Sequence, residues 1–425
     1  MSLTLFVVFI FVLAIGTPVF VAFGLASFVG IEVLNLSNIV ALAQTFFGGI
    51  NSFSLLAVPL FTFAGILITA GGIGQRLINF AHSIVGHITG GLAHVNVSTS
   101  LLFAHMSGVA AADAAFGAEL IMPPMIKKGY KKEFTVAVTA ISSTVGIIIP
   151  PSVPLIIIGG TLGISTGRLF LGGILPGFLC GFAMMIVCYI HAKRHKMPIE
   201  GRFELKQVWA AFKESFFALL MLPIILGTII TGMVSPTEVA LIAVLYALFI
   251  GKFIYKELNW DSFKVSLIKT VKTTAKIFIV IGVAQVFGRL LTLAGFHELV
   301  ASTLLGISDS PTVILFIILG VFLIVGMVME TISLIVLFMP IFYSVALQVG
   351  IDPYHMSVLA VIVLGIGLVT PPYGLCLFIC CNAQKARVWD VIPSIIPFII
   401  AVLLVVVLIV FVPWFALGIA TVVGM

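Results

Sequence analysis

Charge is scarce in this sequence: Asp, Glu, Lys and Arg make up 8% of its 425 residues, while 61% are hydrophobic. A water-soluble domain of that balance would turn a mostly apolar surface to solvent, so the medium must be lipid. The alternating ten-residue segments of a lipid-facing barrel are missing as well. What is left is an all-α polytopic membrane protein, because helices satisfy their own backbone groups inside a bilayer. The five cysteines lie in apolar runs with no loop-borne framework, which argues against disulfides and a Cys-rich metal site. The histidines lack H-E-x-x-H spacing, and the chain has no nucleotide-binding loop. The opening run MSLTLFVVFIFVLAIG has neither a basic flank nor a cleavage site and is expected to stay as a helix.

The net charge of +6 does not point to nucleic acid, because the cations sit in short polar gaps between apolar segments. Lys127, Lys128, Lys131 and Lys132 form one gap; Lys193, Arg194, Lys196, Arg202, Lys206 and Lys213 a second; Lys385 and Arg387 another. Such gaps read as cytoplasmic loops. The stretch from Lys252 to Lys276, with Trp260 and Phe263 between its lysines, reads as an amphipathic arm lying along the lipid interface.

Features of the first half return about 220 residues later in the same order. GTPVFVA (16 to 22) returns as SPTEVA, FSLLAVPLFTFAG as FGRLLTLAG, MSGVAAADAAFGAELIMPP as VGMVMETISLIVLFMP, and GIIIPPSVPLIII as GLVTPPYGLCLFI. This alignment pairs Asp113 with Glu330, and Pro150 and Pro151 with Pro371 and Pro372. Repeats of this kind mark transporters whose halves sit inverted in the bilayer. Residues 2 to 31 and 33 to 47 read as opening helices, with 215 to 233 and 237 to 255 as their counterparts. Segments 48 to 75 and 277 to 305, broken by Gly and polar residues, read as two re-entrant hairpins. Segments 92 to 126, 133 to 162, 311 to 347 and 355 to 380 read as broken helices, and 170 to 192 and 391 to 418 as closing spans.

Unwound backbone inside lipid is costly unless its freed oxygens line a cavity or hold an ion. The first candidate is Ser107, Gly108 and Val109 with Asp113 just beyond, facing Pro150 and Ser152. Two prolines leave carbonyls unpaired four residues upstream, and Ser152 adds a hydroxyl. The second set is Gly326, Met329, Glu330 and Thr331 against Gly367, Val369, Thr370 and Pro371. Hard oxygens with a single carboxylate suit sodium, and an intramembrane carboxylate is a site by default. Ser54 and Arg289, near the two expected hairpin tips, would bind a carboxylate substrate, since a helix N-terminus and a guanidinium both favour an anion. A channel would have no use for paired breaks. An intramembrane aspartyl protease would carry G-x-G-D and two aspartates, which this chain does not.

On FSLLAVPLFTFAG, SGVAAADAAFGAELIMPPMIKKGY, GIIIPPSVPLIIIG, SPTEVA, GMVMETISLIVLFMPI and GLVTPPYGLCLFI, the chain resembles the large membrane subunit of the tripartite ATP-independent periplasmic (TRAP) transporters, and is similar to the sialic acid branch. The resemblance covers nearly its whole length. It implies sodium-coupled uptake of a small organic acid, sialic acid or a C4-dicarboxylate, across the bacterial inner membrane by an elevator movement. It also implies two partners, a small membrane (Q) subunit and a periplasmic substrate-binding (P) protein. The division implied is scaffold over 1–47, transport domain over 48–165, scaffold and arm over 166–276, transport domain over 277–390, and a closing scaffold helix over 391–425. Two positions depart from the family pattern: Val109 stands where a serine is usual, and Glu330 where an aspartate is usual. Arg289 is not a general family feature.

Overall fold

The computed structural model describes residues 2–32, 37–197, 199, 201, 203–230 and 234–424. Arg202 and the side chains of Ser2, His105 and Ser107 lie outside that description. The described residues are helical apart from turns and an isolated bridge between Thr89 and Ile199.

The chain opens with α1 (Ser2–Ala14) and α2 (Val19–Glu32). The sequence suggested one helix here, but the rings of Phe9 and Phe23 stack 4.8 Å apart. Fourteen residues of continuous helix would separate them by about 21 Å, so the chain doubles back. Gly16 makes the reversal possible with φ +89, and Pro18 follows it. After α3 (Ile39–Ile50), capped by Asn38, a 3₁₀ turn (Phe53–Leu56) leads into α4 (Ala57–Ala70). The segment expected to be re-entrant is thus an unbroken apolar run over Phe53–Ala70, long enough to cross a membrane. Pro59 does not interrupt it because it falls in the first turn, where no helical N–H is required.

Next come α5 (Ile73–Val85), α6 (Gly91–Ser107), α7 (Ala110–Leu120) and α8 (Met122–Lys127). The span expected over 92 to 126 does not merely break; it reverses, since Phe103 of α6 stacks on Phe116 of α7 at 4.2 Å. The first hairpin is therefore α6/α7, with its tip at Gly108. A broken helix follows: α9 (Lys132–Ser143), a 3₁₀ turn (Thr144–Ile147), the prolines, then α10 (Val153–Leu162). The half closes with α11 (Thr166–Arg194), capped by Ser165.

The second half starts with α12 (Leu205–Leu219) and α13 (Met221–Ile230), bent by 45°, and α14 (Pro236–Phe249), which Ser235 and Glu238 cap reciprocally. Then α15 runs unbroken over Trp260–Leu293, 34 residues or about 51 Å. This corrects two expectations. There is no separate interfacial arm, since Lys264, Lys269, Lys272 and Lys276 ride on the same helix as Arg289, and of the breaks expected within 277 to 305 the chain stops only at Gly295, φ +75, between α15 and the next helix. Gly282 is a packing site rather than a break, since a methyl group there would lie 2.5 Å from the Phe46 ring. The boundary drawn at 276/277 falls inside α15.

After α16 (Phe296–Ile307), α17 (Pro311–Gly326) and α18 (Thr331–Gln348) make the second hairpin, Phe322 meeting Phe342 at 5.3 Å across it. A second broken helix, α19 (Pro353–Gly367) and α20 (Leu375–Gln384), follows, then α21 (Val388–Phe411) and α22 (Trp414–Val422). Among the described residues six helices are long and apolar enough to cross a membrane, or seven with α12 and α13 taken as one span.

The halves exchange partners. Helix α10 packs on α18 while α20 packs on α7; α4 packs on α14 while α15 packs on α2; α11 packs on α19 while α21 packs on α9. This exchange is what a two-fold axis between duplicated halves produces.

Candidate functional site

Each hairpin tip rests on the break of the helix that follows it. Gly108 caps α6 with φ +62, and Val109 is extended, so α7 starts afresh at Ala110. The Val153 N–H donates to the Gly108 carbonyl at 3.2 Å. A methyl group on Gly108 would lie 2.5 Å from the Pro151 carbonyl oxygen. Ser152 starts α10 by accepting from Leu155 N–H at 3.2 Å, and its hydroxyl donates to the Ile147 carbonyl. Asp113, 3% exposed in the first turn of α7, lays its carboxylate against Gly146, where a side chain would collide with it. The other half closes over this spot through α20, whose Cys380 thiol donates to the Ala114 carbonyl. Gly108, Val109, Asp113, Pro150 and Ser152 are thus one neighbourhood, built from backbone oxygens and one carboxylate.

The second tip repeats the arrangement. Tyr373 N–H, just past Pro371 and Pro372, donates to the Met327 carbonyl at 2.9 Å. Gly367 lies flat on Gly326, whose backbone would be 2.7 Å from a methyl group at 367. Thr370 N–H donates to the Gly367 carbonyl and its hydroxyl to the Ile366 carbonyl at 2.7 Å, which holds the unwound stretch. Met329, Thr331 and Val369 are buried around it. Both Pro-Pro bonds are cis.

The carboxylates are not equivalent, which corrects the alignment of Asp113 with Glu330. Glu330 is the extended residue capping α18, the place Val109 holds in α7, whereas Asp113 stands one turn further on. Glu330 instead lines a cavity of about 540 Å³ between the second tip, the α1/α2 turn and α15, with Thr17, Lys276 and Tyr373. Lys276 and Tyr373 escaped the sequence reading. Lysines seven residues apart on one helix, Lys269 and Lys276, were the available signal, since that spacing puts them on one face.

The structure does not unite the two expected substrate residues. Arg289 is exposed and donates to the Thr45 hydroxyl of α3 at 3.0 Å. Ser54 sits in the 3₁₀ turn over Gly160 of α10, next to Phe53, whose carbonyl accepts from Thr237 of α14. They share no hydrogen bond.

A family model for the tripartite ATP-independent periplasmic transporter, DctM component, matches residues 6–415. The sialic acid TRAP transporter large permease protein SiaM of Vibrio cholerae is 40% identical over 367 residues, 86% of this chain and 85% of that one. The C4-dicarboxylate TRAP transporter large permease protein DctM of Pseudomonas aeruginosa is 35% identical, with 84% and 83% covered. The 2,3-diketo-L-gulonate TRAP transporter large permease protein YiaN of Escherichia coli is 33% identical, with 94% of each covered. Among solved structures, the YdaH transporter of Alcanivorax borkumensis shares the fold at a TM-score of 0.62 over 89% of each chain, with 14% identity. These sequence relatives are permeases rather than enzymes. The chain belongs to the DctM component family of tripartite ATP-independent periplasmic transporters, the large inner-membrane permeases of organic-acid uptake systems.

Proposed function

We propose that the chain couples inward sodium movement to uptake of a small organic acid, sialic acid in preference to a C4-dicarboxylate. The observation that carries this reading is the pairing of each hairpin tip with a proline-broken helix, once in each half. Unwound backbone of this kind presents oxygens that a hard monovalent cation binds, and it is costly inside lipid without such use. One sodium is held around Ser107, Gly108, Val109, Asp113, Pro150 and Ser152, the other around Gly326, Met329, Glu330, Thr331, Gly367, Val369, Thr370 and Pro371. Both hairpins and both broken helices form a transport body that moves as an elevator against the remaining helices. A small membrane (Q) subunit widens the fixed part, and a periplasmic (P) protein delivers the acid. The relative called isethionate TRAP transporter permease protein DctMQ supports the first partner: the match spans 90% of this chain but 61% of that one, which leaves room there for a second module. The preference for sialic acid rests on the 40% identity to SiaM.

Proteoliposomes that contain the chain and its small subunit, given sialic acid on its binding protein, are expected to accumulate the acid under an inward sodium gradient. Collapse of the gradient should stop accumulation, and ATP should have no effect. Uptake that is indifferent to sodium, or that needs ATP, would sink the reading.

A further inference from the structure

A second cavity, a groove of about 480 Å³, opens on the outside of the protein where α14 gives way to α15. Two aromatic pairs wall it. Phe249 and Phe253 lie 5.5 Å apart at the end of α14, and Trp260 stacks on Phe263 at 5.3 Å at the start of α15. A π-helical turn over Ile250–Ile254 leads between them, and the Gly251 carbonyl then accepts from the N–H groups of Glu257 and Leu258, both at 3.1 Å. This fold-back seats the buried Leu258 as the floor, so the groove is built without help from a ligand.

Three features point to one class of occupant. The first is depth. The helix from Pro236 through Ile254 is apolar and long enough to cross a membrane, so the groove lies at the end of a span, at the headgroup level where tryptophan is enriched. The second is polarity along its length. Leu245 and Lys252 both line it seven residues apart, so it runs from leucines toward the hydrocarbon to an ammonium about 10 Å away. The third is charge. Residues 245–264 hold Lys252, Lys256 and Lys264 against two acids, Glu257 and Asp261, and Glu257 is tied to Arg76 at 2.6 Å. That segment is left with Asp261 to oppose three lysines. A water-soluble anion would use the cationic end and leave the aromatic trough empty; an apolar chain that carries an anion at one end fills both.

We propose that this groove is a binding site for an anionic phospholipid of the cytoplasmic leaflet. An acyl chain lies between the two aromatic pairs, and the phosphate and headgroup rest on Lys252, the one charged residue in the lining. Lys264, held over the Trp260 ring at 5.5 Å, and Lys256 raise the potential at the mouth. The lipid so placed bridges the end of α14 and the start of α15.

The test uses the full chain in mixed bilayers, with Trp209, Trp389 and Trp414 replaced by Phe so that Trp260 is the remaining emitter. Quenching by brominated phosphatidylglycerol is compared with quenching by brominated phosphatidylcholine. Phosphatidylglycerol is expected to be favoured about fivefold, the gain that one lysine near a membrane surface supplies. A matched chain keeps Trp209 instead; it is exposed on α12 with Lys213 over its ring at the same 5.5 Å, but outside the groove, and should show less than about a twofold preference. Lys252→Gln should bring the ratio at Trp260 below about twofold, Lys252→Arg should keep it, and Lys252→Glu should favour phosphatidylcholine. Lys252 is exposed, so these variants leave the fold intact. An equal preference at Trp209, or an unchanged ratio in Lys252→Gln, would make the effect a property of the bilayer and overturn the site. Displacement of the brominated lipid by millimolar glycerol 3-phosphate would assign the lysines to a soluble phosphate ester instead. Loss of quenching by both lipids once the small membrane subunit is present would make the groove a protein interface, and would equally overturn the proposal.

Discussion

Alanine at position 108 is expected to cut the initial rate of sodium-driven uptake by well over about tenfold, with the protein still present in the membrane at near-normal levels. Gly108 has φ +62, a region that costs an L residue about 1–2 kcal/mol. The larger effect is steric. The new methyl group would lie 2.5 Å from the Pro151 carbonyl oxygen, which belongs to backbone and has no rotamer by which to leave. Either the tip lifts off the break and the Val153 to Gly108 hydrogen bond is lost, or the proline segment moves. Each alternative separates the two stretches proposed to form the first sodium site. Gly129→Ala is the control, because Gly129 has φ +87 with nothing within 4 Å of the added methyl. It should keep most of the activity. Similar losses in both variants would mean that backbone strain alone, and not the contact with Pro151, governs the effect.

The second hairpin allows a sharper comparison. Gly367→Ala places its methyl group 2.7 Å from the backbone carbon and oxygen of Gly326. Gly326→Ala meets first a Leu364 methyl at 3.4 Å, an ordinary contact. The two glycines face one another, yet the expected results differ: Gly367→Ala should raise the sodium concentration for half-maximal uptake by about tenfold or more, because its collision is with immovable chain, and Gly326→Ala should shift it by less than about threefold. Equal shifts would mean that the close approach of these segments has no part in ion binding.

The stops at the two tips and breaks were legible because the residues that make them are few and strong, Gly108, the two Pro-Pro pairs and the stretch from Met327 to Glu330, whereas the reversal at Gly16 was not. Nor was what the chain does after stopping. A helix that ends in lipid can continue at an angle or turn back, and the choice lies in side chains far away in sequence, such as Phe103 and Phe116, whose stacking no local pattern announces. The same blindness made Gly282 look like a break, although it is a seat for Phe46. It also led the lysines before 276 to be read as an arm on the lipid surface, when they extend a helix that borders both cavities. At the site, the oxygen-rich stretches were readable from composition. The one-turn offset between Asp113 and Glu330 was not, because the acids were paired 217 residues apart although the Pro-Pro pairs aligned beside them lie 221 apart.

The crossed packing of the two repeats has a consequence for biogenesis. Helix α7 leaves the ribosome long before its neighbour α20, and α10 long before α18, so the early half must wait in the bilayer with unburied faces until the late half is translated. Insertion can therefore proceed helix by helix, but the compact state arrives late and all at once. A ribosome that stalls near residue 250 would release a fragment with the α4/α14 seam complete but without α15, α18, α19, α20 and α21, the later partners of the other crossed seams, a natural substrate for membrane proteases.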